Sequence, residues 1–329
     1  MQVNKVKVLF KTKGGHKEGM GDITSSLALA EAFRDQGHEA MFIVNDNKSA
    51  IELISQKGFK YKMAETQTEL ATSVGKEPID IAILNQLNTP TDETQIFKAN
   101  SKMLVTIDDT GDSAELADIS FNVLYPIESA YVDFKYIALF PVFQEKHNIS
   151  RVIKKEVETI LVTQGGSDTY GYTPKIIKGL YKVTPGIVIN VVLGPNFSHH
   201  LHLKQILEDA PRSFNIIKGK NDLSNLMLQA DMAISGGGNI LFELACLGVP
   251  TIVICGERFE EKTAKRLQGE GFGINLGFGK YVKEKDICGA VTELMNDTKK
   301  RRQMSAKGMD LIDGYGATRV AELIIRQLL

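Results

Sequence analysis

The chain has 329 residues, well over the roughly 100–150 of a typical domain, so its length predicts two units, each able to bury its own core. With 43% hydrophobic residues, 24% charged residues and a formal net charge of −1, it reads as globular and gives no electrostatic footprint for nucleic acid or an acidic membrane surface. No apolar run approaches the ~18 residues of a membrane span, and "MQVNKVKVLFKTKGG" has no signal-peptide core, so a cytoplasmic protein without a transmembrane segment is expected.

The first strand is "KVKVLF", followed by the glycine-rich turn "KTKGGHKEGMGD" and a helix over 23–36 that offers Leu27, Leu29, Ala30 and Phe33 to a core. "EAMFIV", "IDIAIL" and "KMLVTID" continue a parallel sheet, with helices near 47–57 and 91–100. "ISFNVLYP" and "YIALFPVF" close the first lobe, and "QEKHNISRVIKKEVE" at 144–158 reads as a connection. The alternation then restarts with "TILVTQGGSD", a helix near 173–183, "GIVINVVLG", a helix near 199–209, "SFNIIKG", a helix near 221–229, "ADMAISGGG", a helix 239–247, "PTIVICG", and further helices. The expected fold is α/β, two Rossmann-like lobes over 1–150 and 151–329 with an interlobe cleft. Ligands of such sheets sit at the carboxyl ends of the strands.

The strongest motif is "ADMAISGGGNILFELACLGVPTIVI" at 230–254. A strand runs into Gly236, Gly237 and Gly238, and a helix opens at Asn239, so backbone N–H groups and the helix dipole point toward an anion such as a diphosphate. Glu243, a turn into that helix, is within reach of ribose hydroxyls. Gly165, Gly166 and Ser167 after an earlier strand fit either ligand contact or ordinary capping with Asp168. Asp108 and Asp109 end another strand, where they suit a divalent cation, a sugar hydroxyl or a helix cap.

The first turn places Gly19, Gly21 and Asp22 before a helix, with His16 earlier in the same turn. A carboxylate there accepts a proton from an attacking hydroxyl or stabilises positive charge at an anomeric carbon. His199, His200 and His202 lack accompanying carboxylates, and Cys246, Cys255 and Cys288 match no metal spacing, so no metal is expected and the thiols read as free and buried. "KKRRQ" at 299–303 reads as the solvated face of a late helix. No G-x-x-x-x-G-K-[ST] loop and no G-x-G-x-x-G junction is present, which argues against NTP hydrolysis and dinucleotide redox chemistry, and no cofactor is expected.

Together "GMGDITSSLALA", "TIDDTGD" with "ADISFNVL", "YIALFPVF", "ILVTQGGSD", "VVLG" and "AISGGGNILFELACLGVP" resemble the PseG/SpsG-type nucleotide-sugar hydrolases of pseudaminic acid biosynthesis, over nearly the whole chain. The resemblance implies a GT-B arrangement like that of the UDP-GlcNAc transferases of peptidoglycan assembly, with UDP on Gly236, Gly237, Gly238 and Asn239 and the ribose on Glu243. It also implies a catalytic group from the first turn. Here the chain departs from the family's Gly-x-Gly-His-x-x-Arg: it has Gly19-Met20-Gly21-Asp22-Ile23-Thr24-Ser25, and Phe259-Glu260 stands where the family has Asn-Gln.

Three functions therefore stay open. One is a UDP-sugar hydrolase of nonulosonic acid or surface-polysaccharide biosynthesis, with Asp22 as general base for water and His16 as its aid. The second is an inverting GT-B glycosyltransferase in which Asp22 acts on a sugar acceptor. The third is a catalytically inactive nucleotide-sugar binding homologue. The sugar, the base of the nucleotide and the oligomeric state are not specified by these residues.

Overall fold

The computed structural model describes residues 5–15, 19–75, 78–184, 186–220 and 222–329. The first sheet contains β1 (Lys7–Thr12), β2 (Glu39–Val44), β3 (Lys60–Met63), β4 (Ile79–Asn85), β5 (Ser101–Ile107) and β6 (Ile119–Phe121) in the order β3-β2-β1-β4-β5-β6. Every pairing in it is parallel. Central strands buried on both faces need continuous apolar runs, and β1 buries every residue after Lys7. Its side chains alternate: Val8 and Phe10 join Leu27 and Phe33 in one core cluster, whereas Leu9 joins Leu70, Leu84 and Phe97 in another. Helices therefore cover both faces.

The second sheet contains β7 (Thr159–Thr163), β8 (Val188–Leu193), β9 (Asn215–Lys218), β10 (Met232–Ser235), β11 (Thr251–Cys255) and β12 (Ile274–Phe278) in the order β12-β11-β10-β7-β8-β9, again all parallel. Read in its own chain order, it repeats the 3-2-1-4-5-6 sequence of the first sheet. Strand order reverses between β1 and β4 in one sheet and between β7 and β10 in the other. Those two points define the crevice at each sheet's carboxyl edge.

The division of the chain differs from the sequence expectation of 1–150 and 151–329. One compact unit comprises 1–141 together with 314–329, and the other comprises 142–313. The C-terminal helix Gly316–Leu328 is amphipathic, and its buried Val320, Ala321 and Ile324 pack in the cluster that holds Leu27 and Phe33 of the first helix. The connecting segment belongs to the second unit. Arg151 donates to the carbonyls of Leu247 (2.7 Å), Ala230 (2.7 Å) and Met227 (2.6 Å), which ties this segment to the ends of the helices Ser224–Gln229 and Asn239–Cys246 that flank β10. The basic run at 299–303 is also corrected. Arg301 is buried and donates to the carbonyls of Leu294, Lys154 and Lys155 at 2.7–2.9 Å, so one of its charges is interior.

Among the described residues, no helix is long and apolar enough to cross a membrane.

Candidate functional site

At the first reversal point, the turn after β1 is closed at its base. Gly15 donates to the carbonyl of Gly19 at 2.9 Å, and Asn45 exchanges hydrogen bonds of 3.0 and 2.9 Å with Gly14. The helix Gly21–Asp35 starts directly beyond, with Asp22 partly exposed in its first turn. An acidic residue is favoured there by the helix dipole. Asn85 ends β4 in register with Thr12 of β1, and its Nδ2 donates to the Asp22 carbonyl (3.1 Å), Ser25 Oγ (2.9 Å) and Ser26 Oγ (2.9 Å). It thereby sets the height of the helix start, and with it Asp22. Sequence reasoning missed Asn85; its signal was the amide that closes the apolar run "IDIAIL". His16 lies outside the described residues.

At the second reversal point, β10 is followed by Gly236, Gly237 and Gly238, and the helix Asn239–Cys246 begins at once. Two of the loop's amides are already taken. Gly236 N–H donates to the Thr163 carbonyl of β7 at 3.2 Å, and Gly237 N–H donates to Glu260 Oε2 at 3.2 Å. The same oxygen accepts from the amides of Gly256 (2.7 Å) and Glu257 (3.3 Å), after β11. A Cβ on Gly237 would stand 2.9 Å from Glu260 Cβ and 3.2 Å from Cys255 Sγ, so the close approach demands glycine. Burial pushes the Glu260 carboxyl above its ordinary range, and the three amides pull it back.

Glu243 lies in the first turns of the helix after this loop. Burial first, and then the charge of Asp222, raise its carboxyl to about 8, so it is largely protonated near neutrality and has a hydrogen to donate. Asp222 in turn accepts from Ser224 N (2.8 Å) and Ser224 Oγ (2.5 Å).

The turn after β7 supports this loop from the other side. Asp168 accepts from the amides of Tyr172 (2.7 Å) and Thr173 (2.9 Å), so it caps the helix Tyr172–Gly179, the capping alternative left open by the sequence. Ser167 is buried, and the Gly166 carbonyl accepts from Asn196 N at 2.9 Å. Gly194 makes this packing feasible, since a Cβ there would lie 2.3 Å from the Gly165 carbonyl and 2.4 Å from that of Gly166.

Asp109 is corrected from ligand contact to loop clasp. It is fully buried, and its carboxylate accepts from the amides of Gly111 (2.9 Å) and Thr89 (3.2 Å) and from the Thr89 hydroxyl. An acid pair at a strand end looks identical in sequence whichever way it turns. Among the described residues no group of three potential ligands could hold a metal ion. His199 contacts the Thr169 carbonyl at 3.1 Å. Cys246 and Cys255 are buried free thiols, whereas Cys288 is only half buried. A charged side chain that sequence reasoning missed is Lys11, buried in β1, where desolvation lowers its ammonium pKa against the opposing field of Glu93.

No family model matches the chain. It is 25% identical over 326 residues to SpsG of Bacillus subtilis, a spore coat polysaccharide biosynthesis protein, covering 94% of this chain and 95% of the relative. In structure it is similar to MurG of Acinetobacter baumannii, with a TM-score of 0.69, 13% identity, and coverage of 98% and 99% of the two chains. It is also similar to MnaA of S. aureus, solved with UDP, at a TM-score of 0.68 and 14% identity, covering 98% of each chain. The paired 3-2-1-4-5-6 sheets and these likenesses define a protein of the GT-B fold. Within that fold, the chain is similar over nearly its whole length to SpsG, the relative its motifs resemble.

Proposed function

We propose that the chain binds a UDP-sugar and hydrolyses its anomeric C–O bond, releasing UDP in the biosynthesis of a nonulosonic acid or a surface polysaccharide. The second unit holds the nucleotide, with the turn Gly236–Gly238 and Asn239 toward the diphosphate and Glu243 toward the ribose. Asp22 of the first unit takes the proton of a water that attacks the anomeric carbon. The C–O bond to the diphosphate breaks as the new C–O bond forms, and UDP leaves with the electron pair, its charge eased by the helix N-terminus. The configuration at that carbon inverts.

The observation that carries this reading is the pair of elements at the two reversal points. A proton acceptor stands in the first helical turn of one unit, and a glycine turn opening a helix stands in the other. What supports the ligand class is the likeness to a polysaccharide biosynthesis protein over nearly the full length, together with a neighbour of the same fold solved with UDP. Transfer to a sugar acceptor is the second reading, favoured by the replacement of the family's His by Asp22, since a carboxylate base suits an alcohol nucleophile equally well. An idle binding homologue is the third.

Thermal shifts with UDP, CMP and GDP test the nucleotide, because a ligand at 100 times its Kd adds about 2.7 kcal/mol of stability. UDP release from a panel of UDP-sugars then tests the reaction. Release without an acceptor supports hydrolysis, release only with an acceptor supports transfer, and stabilisation by UDP without turnover supports the idle homologue. No shift with any nucleotide overturns the nucleotide assignment.

A further inference from the structure

The amide cradle of the second unit already contains a carboxyl group. The amides of Gly237, Gly256 and Glu257 converge on Glu260 Oε2 at 3.2, 2.7 and 3.3 Å. These amides follow the carboxyl ends of the neighbouring parallel strands β10 and β11, and convergent backbone N–H groups of this kind form a nest that binds anions. The other carboxylate oxygen covers the next residue of the loop: Glu260 Oε1 would lie 3.2 Å from a Cβ on Gly238. Glu260 is also the first residue of the helix Glu260–Gly269, whose dipole favours a negative charge at that end. Among the described residues no cation pairs with it; the charges around it are amide dipoles and the neighbouring Glu257.

A diphosphate seated on the same amides would meet this carboxylate at contact distance, and like charges in a desolvated site repel strongly. Both cannot hold Gly237 N–H at once.

We propose that Glu260 is a resident counter-ligand, a carboxylate that holds the amide nest while the site is empty, is displaced by the nucleotide's diphosphate, and drives release of the product by returning. The proposal rests on the nucleotide-diphosphate reading above. It makes Glu260 the residue that sets how weakly the site holds UDP, and it fits the glycine at 237, where a Cβ would crowd Glu260 Cβ at 2.9 Å and Oε2 at 3.2 Å.

The test is titration calorimetry of inorganic pyrophosphate, UDP and uridine into the full-length wild type, Glu260→Gln and Glu260→Ala. Thermal unfolding of each protein without ligand serves as the check on folding; the Gln variant retains an acceptor oxygen for the three amides. The expected result is that both variants bind pyrophosphate and UDP about ten- to a hundredfold more tightly than the wild type, while uridine binds all three alike. Unchanged or weaker binding of pyrophosphate and UDP by both variants, with UDP still bound by the wild type, overturns the proposal and makes Glu260 a tether between two loops. Tighter pyrophosphate binding by the variants, with UDP bound no better than pyrophosphate, upholds the competition and overturns the nucleotide reading instead. Absence of pyrophosphate and UDP binding in all three proteins overturns both.

Discussion

The two reversal points occupy the same place in two sheets of the same strand order, yet they are built from different chemistry. In the first unit the work is done by side chains: Asn85 positions the start of a helix through three hydrogen bonds, and the helix presents the Asp22 carboxylate. In the second unit it is done by the backbone: glycines bring amides close to one another, and a carboxylate from 23 residues away settles on them. The fold supplies a crevice at a strand order reversal, and local residues decide what lines it, a side-chain carboxylate in one unit and converging backbone amides in the other.

The sharpest way to break this contrast is Asp22→Asn. It should slow turnover by about 10²–10⁴-fold while leaving UDP affinity nearly unchanged, as read from kcat and from calorimetry. A wild-type rate would take the first unit's carboxylate out of the chemistry. Gly194→Ala addresses the second unit in the same spirit. Its new methyl group meets the carbonyls of Gly165 and Gly166, and overpacking of that kind costs about 1–3 kcal/mol. Urea unfolding should show that loss together with weaker UDP binding. Asn85→Ala should lower kcat by about tenfold with a smaller effect on UDP affinity, because it loosens the helix start without touching the glycine turn.

Glu243 gives a pH signature confined to the second unit. Its carboxyl titrates near 8 when folded, against 4.5 as its unperturbed value, so across that window the folded state binds more protons than the unfolded state. Stability should therefore fall as pH rises from about 4.5 to about 8, by up to about 1.4 kcal/mol per pH unit from this group. Glu243→Gln should flatten that slope in unfolding titrations, and it should weaken UDP binding if the ribose rests there. The smallest effect is expected from EDTA, which should leave turnover unchanged because the helix N-terminus carries the leaving group's charge.

Much of the architecture was legible because strand and helix periods are local. Apart from "YIALFPVF", the strands read from continuous apolar runs are present, with ends shifted by a few residues. Two of the four edge strands escaped: Lys60–Met63 exposes most of its surface, and Ile274–Phe278 is only half buried throughout, so neither needed an apolar run to form. "YIALFPVF" is not a strand but a 3-10 turn at Phe134–Tyr136, an extended link, and a helix from Pro141. The turn opening the helix Asn239–Cys246 was legible at 236–238, where a close approach forced glycine. It was not legible at Asp109, whose carboxylate faces its own loop, or at Asn85, whose partners lie about 60 residues back.

By itself the sequence determined two α/β units of parallel strands, a glycine turn opening a helix in the second, and an acid opening a helix in the first. Each of these follows from spacing and residue type within a dozen positions. Only the tertiary structure decided that the C-terminal helix returns to the first unit, that Arg301 is interior and tied to carbonyls as far as 147 residues away, and that Glu260 fills the amide nest. The physical reason is the same in each case. An apolar stripe, a guanidinium or a carboxylate specifies the kind of partner it needs, but which partner it finds depends on where distant strands end once the sheets have formed.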